Sequence, residues 1–459
     1  MNEYSRFCSL RRDKLDEGQY ERYNVGMKVV GIIAEYNPFH NGHRAQLEYC
    51  RREAGADAGI IVLMSGDFTQ RGLIASLPST VRADFALRSG ADLVLQLPLL
   101  HSISSAEGFA HGAIATLAAT GICSDIFCGA EHPEQSDLEK IADLLAEETD
   151  EWRRNLFVGL EEGLGFAAAR SNATTAALPD LPAVTDIMKQ PNNILAIEYL
   201  KAIRRLDLMQ KLSLRTHPRF SRTDDNEFPT TSSTYIREQI RKSLKQPGQL
   251  FHEISPYVPP YVLGAVLSSL KCRRERLPGN FWCDNQDLTS ALLSRLIPAD
   301  ADELFSYSGF NDGLAERVIK WRDSLFTTPP PNIAALAGTP DIADPGAWNN
   351  GFDYFAEQLQ TRNLPVSRIR RAFLALLLDI RIDDYDPEAL KPTYLRLLAA
   401  NKRGRYLLRL MRHNATLPII SRPSEAITLG RKSTSAARQL DLDRRGLQLR
   451  QTVCLSPPL

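Results

Sequence analysis

Two histidines three residues apart, His40 and His43, stand where an apolar run gives way to a helical pattern, and no other stretch constrains the fold more. Val29–Ala34 is a short apolar run of the kind buried in a parallel sheet. Asn37-Pro38 and Asn41-Gly42 are turn dipeptides, and residues 43–52 have helical spacing. A helix starting here presents backbone N–H groups and the positive end of its dipole, which favours an anion such as a phosphate. Two imidazoles beside it are suited to neutralise charge that develops on an α-phosphate under attack, an electrostatic role rather than a covalent one. A lone His-x-x-His is common on surfaces and at helix caps. The strand, turn and helix around this one are what point to a phosphate site.

Short apolar runs go on alternating with helical patterns. Residues 59–64, 92–97 and 125–129 read as strands, and 43–53, 80–89 and 105–119 as the helices between them. The alternation predicts an α/β fold, Rossmann-like, with a parallel sheet and right-handed crossovers. Ligands in such a sheet sit beyond the strand C-termini, where His40, Ser65-Gly66-Asp67 and Gly129 fall. Residues 137–162 and 192–206 read as further helices and 212–215 as another strand. After a polar stretch at 221–227 the pattern becomes mainly helical, with Pro-rich breaks at 327–331 and 339–348. Residues 421–459 lack sustained periodicity and read as a loose tail.

At 459 residues the chain suggests two or three domains. Lys plus Arg equals Asp plus Glu at 55 each, so no global field draws it to nucleic acid and any RNA contact must come from a local patch. The balance suggests no DNA partner. The seven cysteines include no CxxC pair and read as reduced thiols of a cytoplasmic protein, with Cys123 and Cys128 as small buried hydrophobes. No apolar run approaches the roughly 20 residues of a membrane span. The first 26 residues, with five acidic and five basic side chains, lack the apolar centre of a signal peptide.

The His40-Asn41-Gly42-His43 signature after Gly31-Ile-Ile-Ala-Glu-Tyr-Asn-Pro-Phe resembles the HxGH nucleotidyltransferase superfamily and, within it, the bacterial tRNA(Met) cytidine acetate ligases. Similar to that family's blocks, and in its order, are Met64-Ser-Gly-Asp-Phe-Thr-Gln-Arg-Gly72, Gly90-Ala-Asp-Leu-Val-Leu-Gln-Leu-Pro98, Ser105-Ala-Glu-Gly-Phe-Ala110, Cys128-Gly-Ala-Glu131 and Pro191-Asn-Asn-Ile-Leu-Ala-Ile-Glu-Tyr199. The likeness runs from about residue 27 to about 420 and is weakest over 251–350. It implies a nucleotidyltransferase-like ATP-binding domain at 27–228, a mainly α-helical domain at 229–420 that contacts tRNA, and a loose tail at 421–459. Residues 1–26 are then a disordered extension or an upstream start that was over-called.

The resemblance also implies roles. ATP would be held by Ile33, Ala34, Glu35, Tyr36, Asn37, Pro38, Phe39, His40, Asn41, Gly42 and His43, with Gln46, Gly129, Asn192, Asn193, Arg215, Ser232 and Ser233. Thr231-Ser-Ser-Thr-Tyr-Ile-Arg237 resembles the second superfamily signature, in which hydroxyls and a guanidinium close over the phosphates. His40, His43 and Arg237 are the catalytic candidates, and no side-chain metal site is expected. An ordinary Ser/Thr N-cap is the plainer reading of Ser232-Ser233, and a capping role that of Asn192-Asn193. Gln70-Arg71 lies at another strand end, towards the acyl or RNA side of the cleft, unless Arg71 is simply solvated. The run 362–412 holds twelve basic and five acidic residues, and Arg368, Arg370 and Arg371 are the candidates for RNA contact. Ile369, Phe373 and Leu376 have core spacing, so a solvated amphipathic helix is the alternative.

The sequence departs from the family in three places. Arg71-Gly72-Leu73-Ile74-Ala75 stands where relatives read Arg-Gly-Glu-Pro-Ala, a lysine is missing within 76–80, and Gln96 replaces a glutamate. The expected reaction is activation of acetate by ATP, with Mg²⁺ shielding the β and γ phosphates, and acetyl transfer to the wobble cytidine of elongator tRNA(Met) to give N4-acetylcytidine. A small-molecule nucleotidyltransferase of cofactor synthesis and a non-catalytic nucleotide- or RNA-binding relative are the alternatives.

Overall fold

Ile60, Ile61, Val62, Leu63 and Met64 are all fully buried, so both faces of this run are covered, as its unbroken apolar sequence requires. It forms β2 (Gly59–Ser65), the middle strand of a seven-stranded sheet with the order β5-β4-β1-β2-β3-β6-β7. The computed structural model describes residues 27–132, 134–218, 229–244, 250–275, 282–327, 351–387 and 390–455. The expectations for residues 1–26, the 221–227 stretch and most of the two Pro-rich breaks lie outside the described residues. β1 (Val29–Ala34) pairs in parallel with β2 and with β4 (Asp125–Ala130). β3 (Leu93–Leu97) pairs in parallel with β2, and β5 (Ser213–Pro218) with β4. Between them run α1 (Asn41–Ala54), α2 (Ser79–Arg88) and α3 (Ala106–Ala118). β2 and β3 lie to one side of β1, and β4 and β5 to the other. The crevice beyond the C-terminus of β1 is therefore the switch point where such sheets bind ligands.

Alternate residues of the strands feed two cores. Val30, Ile32 and Val62 face Leu47 and Phe85, while Val29, Ile61 and Leu63 face Phe109 and Ile114. Each such side chain contributes about 1.5–3 kcal/mol when fully buried. The helix expected over 137–162 is two, α4 (Gln135–Glu147) and α5 (Asp150–Glu161). Glu148 turns left-handed at φ 49°, and the Thr149 hydroxyl accepts the Trp152 N–H at 3.3 Å to start the second. Then follow α6 (Phe166–Ala177) and α7 (Pro191–Arg205).

In the second half, α8 (Ser233–Leu244) and α9 (Pro260–Glu275) pack into the core around Val30 and Val62. α10 (Thr289–Leu296), α11 (Leu314–Thr327), α12 (Gly351–Gln358) and α13 (Val366–Leu378) complete the helical part. Phe68 and Ile74 beyond β2, and Leu99 and Leu100 of the short helix that follows β3, share a third core with Leu292, Phe352 and Phe373, so the helical part sits at the C-terminal end of the sheet. The chain then re-enters the sheet. β6 (Leu395–Ala400) pairs antiparallel with β3, carries β7 (Ile419–Ile420), and is followed by α14 (Lys402–Asn414). The sheet is thus mixed rather than purely parallel, and 229–420 is not purely helical.

The loose tail expected at 421–459 is instead two helices, α15 (Pro423–Gly430) and the long α16 (Thr434–Leu455). Ala436, Gln439, Leu442, Asp443, Gly446, Arg450 and Val453 are buried on α16, three of the seven polar and one glycine, which hides the period from any reading based on apolar residues. Asp443 accepts the Leu99 N–H at 2.9 Å, the Tyr394 hydroxyl at 2.8 Å and the Gln96 amide at 3.2 Å. At position 96 an amide can donate to this carboxylate, where a second carboxylate would repel it. Arg450 donates to the Ala75 and Ser76 carbonyls. Cys454 is disulfide-bonded to Cys283, so two of the seven cysteines are not the reduced thiols expected. Cys128 is buried as anticipated and Cys123 partly so. Among the described residues no helix is long and apolar enough to cross a membrane.

Arg450→Ala should lower the unfolding free energy by about 3–5 kcal/mol, because it leaves carbonyl acceptors and Asp67 without their buried partner. A shifted urea midpoint at unchanged slope measures this. A truly loose tail would tolerate the change.

Candidate active site

β1 ends at Ala34, and the chain sinks from Tyr36 to Asn41 into a fully buried turn before α1 begins. Tyr36 takes a left-handed backbone, φ 52°, a conformation costing a non-glycine residue about 1–3 kcal/mol. Its ring packs edge-on to Phe39 and His43, both at 4.8 Å between centroids. His40 is the N-cap of α1, and its N–H donates to His43 Nδ1 at 3.2 Å. With Nδ1 accepting, the neutral His43 ring carries its proton on Nε2, which makes that atom a hydrogen-bond donor. The two imidazoles stack at 3.7 Å between centroids and 21° between planes. Gly42 permits this, since a Cβ there would lie 3.0 Å from His40 Cε1. One expected feature differs: the Asn41 N–H at the helix start donates to the Tyr257 carbonyl at 2.9 Å rather than pointing free.

The second signature folds back onto this turn. The Ser233 hydroxyl donates to the Pro38 carbonyl at 3.0 Å, Arg237 donates to the Asn37 carbonyl, and Ser232 accepts the Tyr235 N–H at 3.1 Å as a cap. Burial pushes the Arg237 guanidinium down to about 10, still charged at neutral pH. The Asn41 amide ties the same loop to α1 through the Pro229 and Pro256 carbonyls. Asn37 Oδ1 accepts the Ser76 N–H at 2.8 Å. Histidines and arginine nearly two hundred residues apart thus share one short turn.

Sequence reasoning missed Arg82. It is fully buried on α2 and donates to the carbonyls of Glu35, Ser65, Gly66 and Leu77, binding the ends of β1 and β2 together. Burial lowers it to about 10, opposed by the charges of Asp67 and Glu35. An arginine inside an otherwise ordinary amphipathic helix carries no signal of this. Glu35 is partly exposed at the end of β1, and its Oε1 accepts the Gln70 N–H at 2.8 Å. Desolvation pushes its carboxyl up, against the pull of that N–H and of Arg71, Arg237 and Arg82.

The remaining candidates divide. The Gln46 amide lies 3.2 Å from His217 Nε2, and His217 Nδ1 lies 2.9 Å from the Pro218 carbonyl, so Nδ1 donates and Nε2 accepts. His217, which sequence reasoning passed over, stands at the C-terminal end of β5 beside Gly129. Arg215 does not: it pairs with Asp125 at the start of β4, beside Lys28, away from His40. Asn193 Oδ1 accepts the N–H groups of Glu131 and His132, while the Glu131 carboxylate takes the Asn192 amide and the Asn193 N–H. That clamp joins the end of β4 to α7, whose N-cap is Gln190, so the two Asn side chains tie the helix to the sheet rather than cap it. Arg370 is paired with Asp353 and Arg371 donates to the Gln70 carbonyl at 3.1 Å, so both turn inward. Arg368 pairs with Asp312. These three do not form an open basic face.

The family model described as HIGH Nucleotidyl Transferase matches residues 27–327 and 346–454. The tRNA(Met) cytidine acetate ligase of Halothermothrix orenii is 31% identical over 404 residues, 86% of this chain and 87% of that protein. The protein of the same name from Acetivibrio thermocellus is 30% identical over 87% of this chain and 89% of its own. Among solved structures, Thermotoga maritima TmcAL bound with alpha-thio ATP superposes with a TM-score of 0.75 at 27% identity, covering 91% of this chain and 92% of that one.

Gly42→Ala should weaken ATP binding about tenfold or more by displacing the His40 ring, while thermal stability holds, since alanine is at least as good a helix former. Calorimetric titration alongside a melting curve separates the two effects. Unchanged affinity would mean that the stacked position of His40 does not matter.

Proposed function

This chain belongs to the HIGH nucleotidyl transferase family, and we infer from that membership and from the stacked His40–His43 pair that it is an ATP-dependent tRNA(Met) cytidine acetate ligase. The pair carries the reading, because it lies at the switch point of the sheet, faced by Arg237 from α8. ATP is the nucleotide, as in the alpha-thio ATP complex of the Thermotoga protein. A carboxylate oxygen of acetate attacks the α-phosphorus, the bond to the bridging oxygen breaks, and pyrophosphate leaves. The exocyclic nitrogen of the wobble cytidine then attacks the acetyl carbon. The carbon–oxygen bond to phosphate breaks, AMP leaves, and the nitrogen gives up a proton, yielding N4-acetylcytidine.

His43 Nε2–H, the His40 ring and Arg237 neutralise the charge that builds on the α-phosphate, with Ser232 and Ser233 closing over the nucleotide from α8. Gln46 and Gly129 line the side towards β5. Mg²⁺ enters only as the companion of the triphosphate. Among the described residues no group of three or more His, Cys, Asp or Glu could hold a metal ion. Elongator tRNA(Met) in the cytoplasm is the partner. Arg368, at the edge of solvent, is the one of the three candidate arginines available to it.

His40→Ala and His43→Ala should each cut acetate-dependent ATP–pyrophosphate exchange by about 10²- to 10³-fold with cooperative unfolding retained. Near wild-type exchange in both variants would overturn the assignment. No acetate dependence in the wild-type protein would overturn the ligase reading itself.

A further inference from the structure

The stacked histidines stand between two unlike walls. Towards β2, the turn that carries them is held by Ser233 and Arg237 of α8 and by the Ser76 N–H. Towards β5, α1 is met by His217, whose register partner on β4 is Gly129. The α-phosphate is where the triphosphate tail and the adenosine of ATP meet, so a tail closed over from α8 sends the adenosine towards β5. Gln46, one turn after His43 on α1, is half-buried on that side.

The His217 ring is fixed by its surroundings. It is only 4% exposed, lies 4.9 Å from the Tyr49 ring between centroids, and leaves so little space that a Cβ on Gly129 would come 3.5 Å from its Cε1. Burial holds its imidazole below the usual histidine range, so at neutral pH the ring carries one proton. The Pro218 carbonyl, 2.9 Å from Nδ1, can only accept, which puts that proton on Nδ1 and makes Nε2 an acceptor. The Gln46 amide nitrogen, 3.2 Å from Nε2, can only donate. Both contacts therefore demand the same orientation of the amide, with its nitrogen on the ring and its carbonyl oxygen as the arm left for a ligand. We propose that His217 is a positioning residue that sets Gln46 to accept a hydrogen bond from the adenosine of ATP, the donor being the N6 amine of the base or a ribose hydroxyl. This rests on the ligase reading above in taking ATP as the nucleotide. Inosine triphosphate has a carbonyl in place of the N6 amine and would set two acceptors against each other, and a deoxyribose lacks the hydroxyl donor.

The full-length protein is titrated calorimetrically with ATP, inosine triphosphate, 2′-deoxy-ATP and 3′-deoxy-ATP, beside a melting curve. Wild type should bind ATP about tenfold or more tightly than the analogue that lacks the donor Gln46 reads, because the amide oxygen is then left without its partner. A preference over inosine triphosphate assigns the base amine, and one over a deoxy analogue assigns that ribose hydroxyl. His217→Phe keeps a ring against Tyr49 but offers no acceptor, so the Gln46 amide is free to turn, and the preference should shrink to within about twofold. A loss of packing alone would weaken all four nucleotides together and leave their ratios unchanged. His217→Gln, whose amide oxygen can stand in for Nε2, should keep the preference within about threefold of wild type. If His217→Phe does not melt cooperatively, His217→Leu carries the same expectation. A full preference in the Phe or Leu variant, or a wild type that binds all four nucleotides alike, overturns the proposal. Acetate-dependent exchange reads the ligase assignment separately. Wild-type exchange with an unaltered preference in His217→Phe sinks the positioning role alone, and a collapsed preference with no exchange in wild type sinks the ligase alone.

Discussion

The buried guanidinium of Arg82 holds the site end of the sheet together. It reaches carbonyls at the ends of β1 and β2 and the turn before α2, groups with no partner beyond the last rung of the sheet. A buried charge is costly to desolvate, and here four carbonyl acceptors and the nearby Asp67 offset that cost. Lysine could not do the same, having one point charge in place of a planar fork of donors. The spacing it sets between Glu35 and Gly66 decides where the His40 turn emerges and where the Gln70–Gly72 hairpin meets it.

From there the order spreads through charge pairs rather than apolar packing alone. Arg237 grips the Asn37 carbonyl, and one turn later on α8 Arg241 forks onto Asp284 and reaches Asp353, which also takes Arg370. Asn285, next to Asp284, accepts the Ile74 N–H of the hairpin loop. Arg450 and Cys454 bring α16 into the same knot at Ser76 and Cys283. A chain with balanced charges can thus hold arginines such as Arg241 and Arg370 within the fold, where acidic partners from other elements meet them. The blocks around Glu107 and Glu198 behave alike, their carboxylates pairing with Lys201, Arg205 and Arg170 between α3, α6 and α7.

The sequence by itself determined the strand, turn and helix around His40 and His43 and the parallel core of β1 to β5, while the family resemblance implied the pairing of the first signature with the second. The strand, turn and helix and the parallel core rest on local causes, apolar runs of strand length and turn dipeptides. Tertiary structure alone decided that α16 is a packed helix, since its inward face is built from Gln439, Asp443 and Arg450, polar residues that are favourable inside only once Leu99, Tyr394 and Ala75 are there to meet them. It also decided that β6 returns antiparallel to β3, that Arg215 faces Asp125 instead of the cleft, and that Arg370 and Arg371 turn inward. The division has one physical reason. Hydrophobic period and turn chemistry are written in neighbouring residues, whereas the fate of a charged side chain depends on which distant carboxylate or carbonyl the fold delivers to it.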